Sequence, residues 1–152
     1  MEGRHEGLYV ERTEEFEVAA PMDEVFPLFG PDREGDWASD WRPEPVYPVE
    51  VTAVEGAVFR TSHSGEAVWV VSRFDGAQRR VEYTTFRPDD RVGRIIVTVS
   101  EEGQESLVQV TYAFTALSES GRRHVAEFTE VHYREMIAHW KRAIDEFLRR
   151  ET

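Results

Sequence analysis

The sequence predicts an α+β domain in which a curved antiparallel sheet wraps around a long C-terminal helix. Three observations predict it: an alternating strand opens the chain, six further strand-like segments follow with short turns between them, and an amphipathic helix ends it. The chain has 152 residues, the length of one ordinary domain. We therefore expect residues 1–152 to form a single domain, with residues 1–7 loosely ordered.

The first element is a strand that leads into a short helix. Residues 8–20 alternate with a period of two, which predicts a half-buried strand. Its apolar positions share one parity: Leu8, Val10, Phe16, Val18 and Ala20. Pro21 ends the strand and begins a helix, because proline is tolerated in a first helical turn. Pro27 and Pro31 keep this helix short.

Residues 32–48 form an irregular stretch that contains three prolines, two tryptophans and a tyrosine. We expect a short helix followed by an ordered loop. Trp37 and Trp41 are four residues apart and therefore share a helical face. Long loops inside compact domains are often functional. With Tyr47, these rings form either a lid over a cavity or the packed core of the loop, and the sequence leaves both alternatives open.

Strands dominate the middle of the chain. Six segments are separated by turn residues, mostly Gly or Asp, and such short connections predict an antiparallel meander. The predicted strands are Val49–Val54, Ala57–His63, Glu66–Phe74, Gln78–Arg87, Arg91–Ser100 and Ser106–Leu117.

Alternation within these strands predicts which side chains face the interior. The three later strands give a clear inner face: Val81, Tyr83, Thr85, Ile95, Val97, Val99, Val108, Val110, Tyr112 and Phe114. The parity of strands 57–63 and 66–74 is ambiguous, and a shift of one residue would reverse each set. For these two strands we favour Phe59, Thr61, His63, Trp69, Val71 and Arg73 as the inward residues.

The last element is a long helix from about Gly121 to Arg150, with Ser118 or Ser120 as its N-cap. One face of this helix carries a wide apolar stripe, and charged residues lie opposite. The stripe comprises Ala126, Thr129, Tyr133, Met136, Trp140, Ile144 and Phe147.

Charge and composition exclude several classes of function. The formal net charge of −12 repels nucleic-acid phosphates and anionic membrane surfaces. The sequence has neither the apolar run of a membrane span nor that of a signal peptide. It has no cysteine, which excludes disulfides, thiolate catalysis and cysteine zinc sites. We expect a cytoplasmic protein with no nucleic-acid partner and no membrane insertion.

Three segments resemble one known superfamily. They are the strand-to-helix opening Phe16–Phe26, the central hairpin from Trp69–Asp75 to Arg80–Tyr83, and the long terminal helix. Together they resemble the START-like (Bet v 1-like, SRPBCC) helix-grip superfamily, in its polyketide cyclase/dehydrase branch. The resemblance implies a β-α-α-β6-α helix-grip fold with an apolar cavity between sheet and last helix. That cavity holds lipids, sterols, polyketides or plant hormones in different members.

From this resemblance and the inward parities we expect a cavity that binds a hydrophobic or amphipathic small molecule, lipid-like or polyketide-like. The predicted site residues are Trp37, Trp41, Phe59, Thr61, His63, Trp69, Tyr83, Tyr112, Phe128, His132, Met136 and Trp140. Two of them keep an alternative interpretation: His63 as a turn residue in water, and His132 as a boundary residue that reaches solvent. Arg73 either faces an acidic group of a ligand or forms an ion pair with Glu82 or Asp75.

The fold hosts carriers, enzymes and co-chaperones, so other functions stay open. One alternative is a cyclase or dehydratase that uses His63 or Tyr83 as acid or base. Another is a co-chaperone-like module with an exposed apolar patch. Homodimerisation through a sheet edge or the long loop is a further hypothesis. His132, Glu135 and His139 share one helix side, but no second cluster completes a metal shell, and we expect neither metal nor cofactor.

Overall fold

The computed structural model describes residues 7–62 and 65–151. Within these residues, seven strands form one antiparallel sheet in the order β1-β7-β6-β5-β4-β3-β2. The strands are β1 (Tyr9–Val18), β2 (Glu44–Tyr47), β3 (Val58–Thr61), β4 (Ala67–Asp75), β5 (Arg80–Arg87), β6 (Arg91–Glu102) and β7 (Glu105–Ala116). The helices are α1 (Met22–Val25), α2 (Glu119–Ala126) and α3 (Glu130–Arg150), with 3-10 turns at Phe26–Phe29 and Glu34–Asp36. The predicted α+β architecture is confirmed.

Two expectations fall outside this description. The predicted loose order of residues 1–7 concerns residues that, apart from Gly7, lie outside the described residues. The predicted site residue His63 lies outside them as well.

The inner face of the sheet follows the predicted alternation. Along β5, β6 and the first half of β7 every second residue is buried, including Val81, Val97 and Val108, whereas Tyr112 and Phe114 are half-buried. This alternation is typical of an antiparallel sheet that packs one face on the core and exposes the other to solvent. The core therefore lies between this face and the helices.

A β-bulge in β4 reverses the parity that alternation predicts. Val71 pairs with Tyr83, but Arg73 pairs with Glu82, so one extra residue is accommodated between them. Arg73 consequently lies on the outer face, where it pairs with Asp75 at 3.4 Å and Glu82 at 3.7 Å. The prediction that Arg73 faces inward is wrong, and its alternative as an ion-pair partner is confirmed.

The second strand lies earlier in the chain than predicted. Residues 49–54 form no strand, whereas Glu44–Tyr47 pairs with β3. Val49 is 88% exposed, so it contributes nothing to the inner face. Because β2 is an edge strand, Pro45 can belong to it without removing a hydrogen bond from the sheet interior.

The predicted long helix is interrupted at residues 127–129. The hydroxyl of Ser118 accepts a hydrogen bond from the Gly121 amide at 3.0 Å and caps α2. The hydroxyl of Thr129 accepts one from the His132 amide at 3.2 Å and caps α3. Thr129 is thus a cap, and Ala126 ends α2 and is exposed, so the prediction that both belong to the apolar stripe is wrong. Phe128, between the helices, packs into the core.

Helix α3 covers the sheet with its apolar stripe. The residues of α3 that are buried in the core are Tyr133, Ile137 and Ile144. The phenolic hydroxyl of Tyr133 donates a hydrogen bond to the Val110 carbonyl, and Lys141 donates one to the Glu17 carbonyl at 2.7 Å. Among the described residues, no helix has the length and apolar character needed to cross a membrane.

Candidate functional site

A cavity of about 730 Å³ lies between the inner face of the sheet, helix α3 and residues 30–41, which we term the tryptophan loop. Its wall includes all four tryptophans of the chain: Trp37, Trp41, Trp69 and Trp140. Cavities of this size hold drug-sized ligands, and apolar lining with a few polar groups is typical of such sites.

Two of these tryptophans are fixed by hydrogen bonds inside the tryptophan loop and its approach. The indole N–H of Trp37 donates to the Leu28 carbonyl at 2.7 Å, and that of Trp41 donates to the Pro31 carbonyl at 2.9 Å. The Glu34 amide donates to the Gly30 carbonyl at 3.0 Å, which holds the loop in a tight turn. The loop therefore presents both rings in one defined arrangement.

The tryptophan loop connects a helix wall to a sheet wall. On the helix side, Trp37 contacts Trp140 of α3 with ring centroids 5.2 Å apart. On the sheet side, Trp41 contacts Trp69 at 5.4 Å and Phe59 at 5.6 Å. Edge-to-face pairs at these distances are favourable aromatic contacts. The rings thus form two aromatic clusters, one on the helix side and one on the sheet side of the cavity.

Three of the four indoles have already used their one hydrogen-bond donor. Besides Trp37 and Trp41, the indole N–H of Trp69 donates to the Thr61 hydroxyl at 2.9 Å. An indole has no other donor and no acceptor, so these rings offer a ligand their π faces and carbon edges. The Thr61 hydroxyl accepts from Trp69 and retains a proton that it can donate to a ligand.

Glu34 is a polar group of the cavity wall that the sequence did not indicate. Burial raises the pKa of this carboxyl to about 8, and the nearby carboxylate of Asp40 adds to the rise. Burial also raises the pKa of Tyr83 and Tyr112, and the charge of Glu34 contributes to both shifts. The charge of Glu34 therefore acts on two tyrosines of the interior, although the residues beside Glu34 in the sequence are typical of a charged surface turn.

Two other acidic residues of the wall form ion pairs with arginines. Asp36 pairs with Arg33 at 2.6 Å, and Glu146 pairs with Arg150 at 3.1 Å. In the described part of the chain, the Glu34 carboxylate has no hydrogen-bond donor and no ion-pair partner. Glu34 is thus a carboxyl group of the cavity wall without a partner among the described residues.

The structure brings seven of the predicted site residues together at the cavity wall. They are Trp37, Trp41, Thr61, Trp69, Tyr112, Met136 and Trp140. They come from the tryptophan loop, three strands and one helix, as expected if sheet and helix enclose the space. His139 joins them, two turns along α3 from His132.

Four other predicted residues lie away from the wall. Phe59 is buried and stacks on Trp69 with centroids 5.9 Å apart. Tyr83 is buried and bonded to the backbone, and Phe128 packs against Phe114 at 4.9 Å. His132 is exposed in the first turn of α3. Among the described residues, no group of three or more histidine and acidic side chains is placed to hold a metal ion.

Comparison with known proteins gives matches at the level of structure. Norcoclaurine synthase from Thalictrum flavum superposes with a TM-score of 0.70 at 13% identity, covering 97% of this chain and 95% of that one. CalU16 from Micromonospora echinospora gives 0.61 at 19%, covering 95% and 88%. The major latex-like protein 151 of Panax ginseng gives 0.67 at 16%, covering 92% and 97%. No protein-family model matches the chain, and no curated protein matches it.

These similarities identify the fold of the chain. The chain has the Bet v 1-like helix-grip fold, also described as START-like or SRPBCC, as the sequence predicted. At these identities the similarity establishes the fold, and the function has to be argued from the cavity itself.

Proposed function

We infer that this protein binds an amphipathic small molecule in the cavity between the sheet, α3 and the tryptophan loop. The observation that carries this is the convergence of all four tryptophans on one space of about 730 Å³. Proteins of this fold are known for binding hydrophobic ligands. The apolar body of the ligand would lie against the indole faces, and its polar end would lie near Glu34 or Thr61.

The physical basis is the burial of apolar ligand surface against rings that are held in place. Contact with apolar surface contributes about 25 cal/mol per Å² removed from water. Because hydrogen bonds hold Trp37, Trp41 and Trp69, little conformational entropy is lost when a ligand binds. This arrangement favours a carrier or receptor for a small molecule over a module that binds other proteins, and we propose that it acts in the cytoplasm.

The test compares two phenylalanine substitutions on one helix. Ala143 lines the cavity, whereas Ala138 lies on the exposed face of α3. Naphthylmethanol serves as a neutral aromatic probe, and its affinity is measured by titration calorimetry. We expect Ala143→Phe to weaken binding because the new ring occupies the ligand space, and Ala138→Phe to leave it unchanged. Absence of binding to the unsubstituted protein, or an equal effect of both variants, would contradict the proposal.

Glu34 favours a second candidate, a general acid–base enzyme that acts on a bound aromatic or polyketide-like substrate. A cavity carboxyl with a pKa of about 8 can exchange a proton near neutral pH. Nitrobenzisoxazole reports on such a base, because loss of its ring C–H proton breaks the N–O bond and releases a coloured phenolate. A rate that rises through about pH 8 and disappears in Glu34→Gln would support this candidate. A rate no higher than that of buffer would count against it.

A further inference from the structure

We propose that the hydroxyl of Tyr112 donates a hydrogen bond to a carbonyl oxygen of the ligand, which is a neutral aromatic carbonyl compound. This inference rests on the proposed binding function and adds one polar contact and the chemical class that fits it. Its basis is a phenol that lines the cavity, has no partner among the described residues and is held in place by four other rings.

The interior tyrosines use their hydroxyl groups in different ways. Tyr83 donates a hydrogen bond to the Phe29 carbonyl at 2.6 Å, and Tyr133 donates one to the Val110 carbonyl. The hydroxyl of Tyr112, by contrast, has no hydrogen-bond partner in the described part of the chain. Tyrosine hydroxyls in protein interiors usually have a partner. A bound ligand would supply the one that Tyr112 lacks.

The position of Tyr112 on the sheet makes its hydroxyl accessible from the cavity. Tyr112 pairs with Ile95 of β6, which belongs to the inner face. Ile95 is buried, whereas Tyr112 is half-buried and lines the cavity. The Thr85 hydroxyl also lacks a partner, but it is fully enclosed, and Thr85 is not part of the wall. Of these two hydroxyls, the one on Tyr112 is thus the one that a ligand can reach.

The ring of Tyr112 is held on several sides. Four aromatic side chains lie with their ring centroids between 5.7 and 6.1 Å from its own: Phe114, Phe128, Tyr133 and Trp140. A side chain that is already fixed loses little rotamer freedom when it forms a new hydrogen bond. The donor is therefore preorganised for a ligand.

The groups that meet at Tyr112 favour a carbonyl oxygen. Burial raises the pKa of Tyr112 above its ordinary value, so the hydroxyl carries its proton at neutral pH. The indole N–H of the neighbouring Trp140 also has no partner among the described residues, and an indole can only donate. A carbonyl oxygen accepts up to two hydrogen bonds and brings no proton. A ligand hydroxyl would add a third proton, and an ammonium would offer no lone pair.

The experiment compares two neutral probes of the same shape: acetylnaphthalene, and isopropenylnaphthalene, in which a CH2 group replaces the carbonyl oxygen. Their affinities for the whole chain and for Tyr112→Phe are measured by titration calorimetry. We expect Tyr112→Phe to weaken binding of the ketone about fivefold relative to the hydrocarbon, because one neutral hydrogen bond contributes a factor of that order. The affinity for the hydrocarbon should be retained, which also shows that the variant is folded.

Tyr83→Phe is the matched control, because it removes the same hydroxyl from a tyrosine that lies away from the wall. The two variants should show opposite effects. Tyr83→Phe should lower the free energy of unfolding and keep the preference for the ketone. Tyr112→Phe should keep the free energy of unfolding, since its hydroxyl has no partner to lose, and abolish the preference.

The carbonyl stretching band of the bound ketone reports on the hydrogen bond itself. With carbon-13 in the carbonyl group, infrared difference spectra should place this band at a lower frequency in the unsubstituted protein than in Tyr112→Phe, because hydrogen bonding weakens the C=O bond. A purely structural role of Tyr112 would leave the band in place. A band at the frequency found in a hydrocarbon solvent would overturn the proposal even if the variant does not fold.

Failure of this proposal is distinct from failure of the binding function. If neither probe binds to the unsubstituted protein, both are wrong. If both probes bind and Tyr112→Phe changes their affinities equally, the assignment to Tyr112 is wrong and the binding function stands. The same conclusion follows if the preference survives in Tyr112→Phe and is lost in Thr61→Val, because the donor would then be the Thr61 hydroxyl.

Discussion

The phenolic hydroxyl of Tyr83 donates a hydrogen bond to the carbonyl oxygen of Phe29 at 2.6 Å. Tyr83 belongs to the inner face of β5, and Phe29 is the last residue before the tryptophan loop. Both residues are buried. The bond thus anchors the start of the loop to the sheet, so that a tyrosine predicted to contact ligand serves instead to place the loop that lines the cavity.

Replacing Tyr83 by Phe should therefore affect stability more than binding. The substitution leaves the buried Phe29 carbonyl without its donor, which costs about 1–3 kcal/mol of the free energy of unfolding. Chemical denaturation measures that loss, and calorimetry with naphthylmethanol should give an affinity close to that of the unsubstituted protein. Tyr47→Phe is the control, because the Tyr47 side chain is 71% exposed. Equal stability of both variants would contradict the anchoring role.

Glu34 should make the stability depend on pH in a defined direction. Its pKa is about 8 in the folded protein and 4.5 as a free side chain, so the folded state binds the proton more tightly. This contribution to stability is fully present below the lower value and is lost as the pH rises toward the upper one. The slope is at most about 1.4 kcal/mol per pH unit. The titratable groups that act with it are Asp40, Tyr83 and Tyr112.

Glu34→Gln removes this dependence, because glutamine resembles the protonated acid at every pH. We expect the variant and the unsubstituted protein to unfold with similar free energies in acid, and the variant to be the more stable above about pH 8. Denaturant titrations over this range give the difference directly. Parallel pH profiles for the two proteins would show that the carboxyl is not perturbed as described.

Gly121 should be intolerant of any side chain. A Cβ atom built at this position, in the first turn of α2, would lie 1.8 Å from the Asp90 carbonyl oxygen. The backbone of the turn between β5 and β6, which contains Asp90, would have to move. Overpacking of this kind costs about 1–3 kcal/mol. Gly121→Ala should lower the denaturation midpoint, whereas Gly76→Ala, which meets no atom within 4 Å, should not. An unchanged midpoint for Gly121→Ala would contradict the close contact.

Alternation and turn spacing predicted six of the seven strands, most of the inner face and the covering helix, but they placed the second strand at residues 49–54 instead of Glu44–Tyr47. The predictions were also wrong where a bulge inserts one residue into a strand and where an N-cap divides the predicted helix in two. The bulge in β4 turns the Arg73 side chain to the outer face of the sheet, and Thr129 is the N-cap of α3. Neither event leaves a periodic signal: the bulge is seen in the pairing of Arg73 with Glu82, and the break between the two helices accompanies the packing of Phe128 against Tyr112.

The site was predictable in its apolar part and not in its polar part. Large aromatic residues at inward-facing strand positions identified most of the wall, because such side chains are usually buried. Glu34 could not be found in this way, since its local sequence is that of a solvent-facing turn. Its position follows from the tight turn of the tryptophan loop and the docking of Trp37 on Trp140, both of which are tertiary.

The indole N–H signals of the four tryptophans test the central claim most directly. A proton–nitrogen correlation spectrum of labelled protein contains one indole signal for each of these residues. During titration with naphthylmethanol, we predict that the signals of Trp37, Trp41, Trp69 and Trp140 all shift and saturate together, because one ligand fills the space that they surround. Binding that is detected by calorimetry while these four signals stay in place would contradict the account.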